Sequence, residues 1–274
     1  VDEQVHSVAD ILYKMRRIKD AHEEELLRKA IDITAQAQHT AAQHIKHGVG
    51  EWQVQAAIEH VFTTHQASHV SFPSIVATGK NSTVLHYIDN HETIMQGDLV
   101  VVDIGAEFGH YAADLTRTYP AGGQFSDRQK EIYQLVLDAQ EYAAARAKPG
   151  MFLRNVSAGE ESLHGLIVEY FKQHGYGQYF PHGLGHYQGL DVHDVGDYGI
   201  VDKKQCRPFE SGMVMTIEPG LYFPLNDETI EPHWRGIAVR IEDNIVVIDQ
   251  GHENLTADVV KSIADIEHLM AKNS

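Results

Sequence analysis

The chain has 274 residues, 43% of them hydrophobic and 22% charged, which is ordinary globular composition and enough to bury a sizeable core. Lys and Arg number 22 against 39 Asp and Glu, and the resulting net charge of −17 argues against nucleic-acid binding and against docking on anionic lipid, both of which need basic surfaces. No run of about 18 apolar residues exists for a membrane span, and the one cysteine, Cys206, excludes an internal disulfide, a CxxC redox pair and a multi-cysteine zinc site.

Such cysteine usage leads us to expect a cytoplasmic protein. No charged and apolar leader follows Val1, so a signal peptide is not expected. Residues 1–20 are mixed and read as a lead-in segment or linker to a helix. From His22 to His47 the residues Leu26, Ala30, Ile33, Ala37, Ala41 and Ile45 recur at helical spacing, with Gly48 as the stop. Val54, Ile58, Val61 and Phe62 predict a second helix from Glu51 to about Thr64. Ser71 to Leu85 reads as loop with a short strand. Asp98 to Asp103 is an apolar strand, and Gly109 to Thr118 its hairpin partner. Ser126 and Gln129 form a capping-box pattern that opens a third helix, broken at Lys148-Pro149-Gly150. A fourth helix is expected from about Val156 to His174. Strands at Met213–Glu218, Ile237–Glu242 and Asn244–Ile248 and a short last helix follow.

The order is thus helix, helix, strands, twice over, and the two halves echo each other. Gln96-Gly97-Asp98-Leu99-Val100-Val101-Val102-Asp103 matches Ser211-Gly212-Met213-Val214-Met215-Thr216-Ile217-Glu218, each with a carboxylate six residues past a glycine. Asp103, Asp114, Glu218 and Glu242 all lie in or beside apolar strands, where carboxylates are poorly tolerated alone. If they converge, each raises the others' pKa, and cations must balance them. Two divalent ions would neutralise four carboxylates, and such ion pairs are a hydrolytic device. An imidazole donor is available in the glycine-rich stretch holding His182, His186 and His193. Pro181, Gly183 and Gly185 argue against a helix, and hence against an HExxH-type site, there. The fingerprints of dinucleotide, serine-hydrolase and P-loop sites are missing: Gln188 stands where a third glycine is needed, and neither GxSxG nor GxxxxGK[ST] occurs. His22, His39, His44, His47, His60 and His65 read as solvated helix positions. Trp52 and Trp234 read as packing residues, with Trp234 a candidate for the site entrance, and Cys206 as a small hydrophobe or surface thiol.

Several stretches together resemble the pita-bread metallopeptidases, and within them the aminopeptidase P (Xaa-Pro aminopeptidase) family. They are Val84-Leu85-His86-Tyr87, Asp98 to Gly105, Tyr111 to Thr118, His182 to His186 with Leu190 to Gly196, Thr216 to Tyr222, Arg235 to Asp243, and Glu253 to Lys261. The resemblance spans about Arg17 to Met270. It implies an α+β pita-bread (creatinase/aminopeptidase) fold: two pseudo-symmetric helix-helix-strand halves around a curved antiparallel sheet. Residues 21–274 would be the catalytic domain, without the creatinase-like N-terminal domain usual in the family. It also implies metal ligands at Asp103, Asp114, His186, Glu218 and Glu242, with Asp114 and Glu242 bridging two divalent ions. Manganese is the family's usual metal, with cobalt, zinc or iron as substitutes.

By the same resemblance, a metal-bridging hydroxide attacks the N-terminal Xaa-Pro bond of a peptide. Glu218 moves the proton, and His86 and His193 stabilise the oxyanion. His86, His182, His193, Tyr222 and Arg240 surround the substrate, and His182 and Arg240 also count among the catalytic group. The expected partners are peptides with proline second, with no nucleic acid and no membrane, in a chain that could form a homo-oligomer. Prolidase, a dipeptidase, is the near alternative. Its carboxylate-binding Arg aligns with Lys204, in Lys203-Lys204-Gln205-Cys206-Arg207, and lysine lacks the bidentate fork. Methionine aminopeptidase fits the loop and tail poorly. A pita-bread peptide- or protein-binding module without catalysis is the remote alternative, set aside because all five ligands are present.

Overall fold

A computed structural model describes residues 8–154, 161–196 and 207–271. In chain order its elements are α1 (Ala9–Arg17), α2 (Ala21–His44), α3 (Glu51–Thr64), β1 (His69–Val70), β2 (Ile75–Thr78), β3 (Leu99–Ile104), β4 (Ala106–Phe108), β5 (Tyr111–Ala112) and β6 (Leu115–Pro120). Then come α4 (Asp127–Ala144), α5 (Leu163–Gln173), β7 (Val214–Ile217), β8 (Gly220–Phe223), β9 (Ile237–Arg240), β10 (Asp243–Ile248), β11 (Gly251–Asn254) and α6 (Ile263–Ala271).

Each long helix has a chemical start and one buried face. Asp20 caps α2 by accepting from the backbone N–H of His22 and Glu23, while the Glu23 carboxylate accepts from the Asp20 N–H, a reciprocal capping box. The expected box at Ser126 and Gln129 opens α4. On α2, Leu27, Ala30, Ile31, Ala37 and Ala41 are buried, and α3 packs beside it through Val54, Ile58 and Phe62. The sequence places the start of α5 at Val156, which lies outside the described residues. The described helix begins seven residues later at Leu163, where the Ser162 hydroxyl accepts from the Gly165 N–H and so fixes the first turn. The described part of the lead-in holds α1. Arg16, at the end of α1, pairs with Asp191 and Asp194, and the buried Lys19 reaches Asp194 at 3.4 Å.

Two three-stranded antiparallel sheets form the centre, in the orders β2-β3-β6 and β11-β10-β7. The echo between the halves reaches the backbone angles, because Gly97 and Gly212 both have φ of +88° in the turn that launches β3 and β7. That left-handed turn is cheap only for glycine. All six residues of β3 are buried, as a strand covered on both faces requires. Burial of each Val or Ile contributes roughly 1.5–3 kcal/mol.

The two halves meet along a seam. The Glu242 N–H donates to the Thr116 carbonyl at 3.1 Å, and the Thr118 hydroxyl both donates to the Arg240 carbonyl and accepts from its N–H. Behind the seam, the fully buried Arg117 donates to Asp243 Oδ1 at 2.8 Å and to the carbonyls of Thr116 and Glu242. Lys261 and Asn254 complete Asp243 from the other side. A buried guanidinium is tolerable only with such a set of acceptors.

Candidate metal centre

The five expected ligands come together on this seam. Asp103 is the penultimate residue of β3 and Asp114 sits between β5 and β6. Glu218 directly follows β7, and Glu242 fills the gap between β9 and β10. Glu218 and Glu242 therefore cap strand ends instead of lying within them, as their strands stop one and two residues early. His186 comes from the glycine-rich loop, which is not helical, as its glycines and proline require. Its N–H donates to the Thr216 hydroxyl at 3.1 Å and its carbonyl accepts from the Thr216 N–H at 2.9 Å. Only glycine fits at 185, because a Cβ there would run into the Thr216 carbonyl oxygen.

The orientation of His186 is the most informative feature. Its Nδ1 faces the Tyr187 carbonyl oxygen at 3.1 Å. A carbonyl only accepts, so Nδ1 carries a proton, and Nε2 is the ring atom turned toward the carboxylates. That Nε2 lies 3.1 Å from Asp114 Oδ2 and 3.6 Å from Glu218 Oε1, which are acceptors as well. Asp114, His186 and Glu242 present ligand atoms all within 4.8 Å of one another. Carboxylate oxygens crowded around an imidazole nitrogen form a donor set that a cation can occupy.

Electrostatics point the same way. Burial, and then the neighbouring Asp103 and Glu218, push the Asp114 carboxyl well above its ordinary range. Burial followed by Asp114, Glu218 and Asp103 does the same to Glu242. Glu218 is raised chiefly by burial, against the pull of His186 and Arg240. Asp103 Oδ1 and Glu242 Oε1 are buried without any hydrogen-bond partner. Unpaired buried carboxylate oxygens are expensive, and four oxygen donors with one imidazole are the set that hard or borderline dications prefer. The residues therefore fit divalent cations, which Asp103, Asp114, His186, Glu218 and Glu242 would hold.

Two threonines that sequence reasoning passed over orient this cluster. The Thr116 hydroxyl donates to Glu242 Oε2 at 2.7 Å and accepts from Arg240 Nε at 3.2 Å. The Thr216 hydroxyl reaches Glu218 Oε1 at 3.5 Å. Both threonines are fully buried, one in each half. In sequence they look like ordinary strand threonines, and only their alternation with the ligands at 218 and 114 hinted at a shared face.

A cavity of about 580 Å³ opens over the cluster. His86, His182, His193, Tyr222 and Arg240 all line it, as expected, together with Phe72, Pro73, Ile75, Leu85, Ile88 and Val192 as an apolar wall. Glu242 stands behind the wall, 1% exposed. Arg240 donates to Asp103 Oδ2 and to the Tyr222 hydroxyl, both at 2.7 Å. Burial pushes the Tyr222 hydroxyl up to about 12, so it stays protonated. His182 gives its Nδ1 to the Gly183 carbonyl at 2.8 Å, and its buried Nε2 has no partner. Burial, and then Arg240, push its pKa down to about 3. His193 lies face-near to His186, with ring centroids 4.1 Å apart, and burial followed by His186 and His86 pushes it down to about 4. Both rings are therefore neutral near pH 7.

The loop carrying His86 is held by another unforeseen residue. The buried carboxylate of Glu51 accepts from the N–H of Thr78 and Glu92, the Asn81 amide and the Tyr87 hydroxyl. The helix histidines 22, 39, 44, 47, 60 and 65 are exposed and away from the cavity, and so is Trp52. Trp234 stacks on Phe223 and packs against the core instead of lining the cavity. Lys203, Lys204 and Cys206 lie outside the described residues.

Two matching halves that pool four carboxylates and a histidine in a cleft define a metal-binding class of protein. Comparison with known proteins makes that class specific. The profile of metallopeptidase family M24 matches residues 25–249, and the chain belongs to that family. It is 42% identical to Xaa-Pro aminopeptidase of Haemophilus influenzae over 95% of this chain and 62% of that protein. Against Xaa-Pro aminopeptidase of Escherichia coli the identity is 40%, over 95% of this chain and 60% of the other. A structure of Zn-substituted Escherichia coli aminopeptidase P in complex with product superposes with a TM-score of 0.89 at 37% identity, covering 98% of this chain and 62% of that one. The chain thus spans about three fifths of the length of these relatives, and its fold is the expected pita-bread arrangement.

Proposed function

We propose that this chain hydrolyses the bond between the first residue of a peptide and a proline in second place, as an aminopeptidase with two divalent ions. The observation that carries the reading is the His186 Nε2 aimed at Asp114 and Glu218 inside a carboxylate cluster with unpaired oxygens. The relatives' name, Xaa-Pro aminopeptidase, supplies the substrate class. Ions held by the five ligands supply Lewis-acid chemistry, acidifying water and balancing charge on a carbonyl oxygen. Manganese is the proposed resident metal, with cobalt, zinc or iron as substitutes.

The chain's own residues do the rest. Glu218, on the cavity wall, accepts a proton from the attacking water and returns it to the prolyl nitrogen. Like any amide nitrogen, it must gain a proton to leave as an amine, and as a tertiary amide it has no N–H of its own. His86 and His193 offer N–H donors at the cavity mouth, where the carbonyl oxygen becomes negative. His182, Tyr222 and Arg240 form a rigid inner wall that positions the substrate. We place the protein in the cytoplasm, and homo-oligomers are part of the same reading.

The test is hydrolysis of Ala-Pro-Ala and Ala-Ala-Ala by the manganese-loaded protein. Release of alanine from the first and not the second is expected. Equal cleavage of both, or of neither, contradicts the reading.

A further inference from the structure

Among the described residues, Arg154 is a cation of the cavity without an ion-pair partner. It follows the Lys148-Pro149-Gly150 turn and lines the same cavity as the donor cluster. Its guanidinium lies over Gly183, so close that a Cβ at 183 would run into a terminal nitrogen. Its Nε is buried with no hydrogen-bond partner. The other cavity arginine differs, since Arg240 is already paired with Asp103 and Tyr222. The nearby His164 ring cannot compensate it either, since an imidazole is neutral or cationic, and burial and then Arg154 push this one toward its neutral form. Two dications would neutralise the four clustered carboxylates, and Arg240 keeps its contacts to Asp103 and Tyr222, whereas Arg154 has no hydrogen-bonded or ion-paired partner among the described residues.

Resting on the reading above, we propose that Arg154 selects substrates by binding a carboxylate of the peptide on the side away from its free amino end. A guanidinium repels the substrate's ammonium and attracts its carboxylate, so it fixes the direction in which a short peptide lies. Its planar fork can take both carboxylate oxygens. The carboxylate comes either from the C-terminus of a short peptide or from an acidic side chain after the proline.

Three peptides separate these sources: Ala-Pro-Ala, Ala-Pro-Ala-amide and Ala-Pro-Glu-amide. Each is measured with the metal-loaded wild type, Arg154→Met and Arg154→Lys. The Met variant is expected to lower kcat/KM for the free acid roughly tenfold to a hundredfold more than for its amide, mainly through KM. The Lys variant should fall between, keeping the charge and losing the fork. A selective loss on Ala-Pro-Glu-amide alone supports the same contact with the side chain as its source. Calorimetric titration with Pro-Ala and its amide reads the contact without turnover, and Arg154→Met should erase the preference for the acid. Equal losses on all three peptides, or none, overturn the proposal. Robust wild-type turnover of the amide in that case leaves the peptidase reading standing, whereas no wild-type turnover of any peptide overturns both.

Discussion

Replacing Glu242 with glutamine should stabilise the metal-free protein while it cripples the metal-loaded one. The side chain is 1% exposed, its Oε2 accepts the Thr116 hydroxyl at 2.7 Å, and its Oε1 has no partner. A ligand atom of Asp114 lies within 4.8 Å. Two like charges at that spacing repel by about 3.5 kcal/mol at an effective dielectric of about 20. Protonation relieves part of this, so a net cost of roughly 1–3 kcal/mol remains at neutral pH. Glutamine keeps the shape, keeps an oxygen for Thr116 and puts an N–H donor where an orphaned acceptor stood. In EDTA, Glu242→Gln is therefore expected to melt several degrees above wild type, at about 2 °C per kcal/mol. In manganese the order reverses. Wild type gains about 2.7 kcal/mol per site at a hundredfold excess over Kd, and the variant gains less. Scanning calorimetry in the two buffers reads both effects. A variant that melts below wild type in EDTA, or a wild type that manganese does not stabilise, refutes the reasoning.

Thr116→Val removes the hydroxyl that orients Glu242 and should weaken manganese binding about tenfold by titration calorimetry, with Thr116→Ser restoring it. Retained affinity in the valine variant would show the hydroxyl to be idle. His193→Ala should leave metal content unchanged and slow turnover about a hundredfold; a loss of metal instead would make His193 a ligand. Asp243 provides the pH test. Burial raises its carboxyl, but Arg117 and Lys261 outweigh burial and hold it at about 2, below its ordinary 3.8. Its stabilisation, about 2 kcal/mol, is thus present above pH 4 and lost as the pH falls through 2. Asp243→Asn should cost about 3–5 kcal/mol at pH 6 by leaving Arg117 uncompensated. Denaturant melts should show the gap from wild type shrinking between pH 4 and 2, and a constant gap would contradict the pairing.

Much of this architecture was legible because β3 and α3 carry unambiguous patterns. The run Leu99 to Val102 has no polar face, and α3 keeps one stripe between Gly50 and His65. The candidate ligands stood out for the opposite reason: Asp103, Asp114, Glu218 and Glu242 contradict their apolar surroundings. What escaped notice was polar and long-range. β11 is Gly-His-Glu-Asn, and it is a strand only because β10 offers it a full ladder. β8 follows Pro219 so closely that it reads as a turn, yet it pairs with β9 from Gly220 to Phe223. Glu51 looks like a solvated helix-start glutamate, and its burial depends on four donors from residues 78–92. Arg117 and Arg154 likewise gain meaning only from partners, or their lack, far along the chain.

Anomalous diffraction from a crystal soaked in manganese addresses the central claim most directly. Two peaks are expected, both enclosed by Asp103, Asp114, His186, Glu218 and Glu242. A saturating soak with no peak among these five side chains would contradict the account.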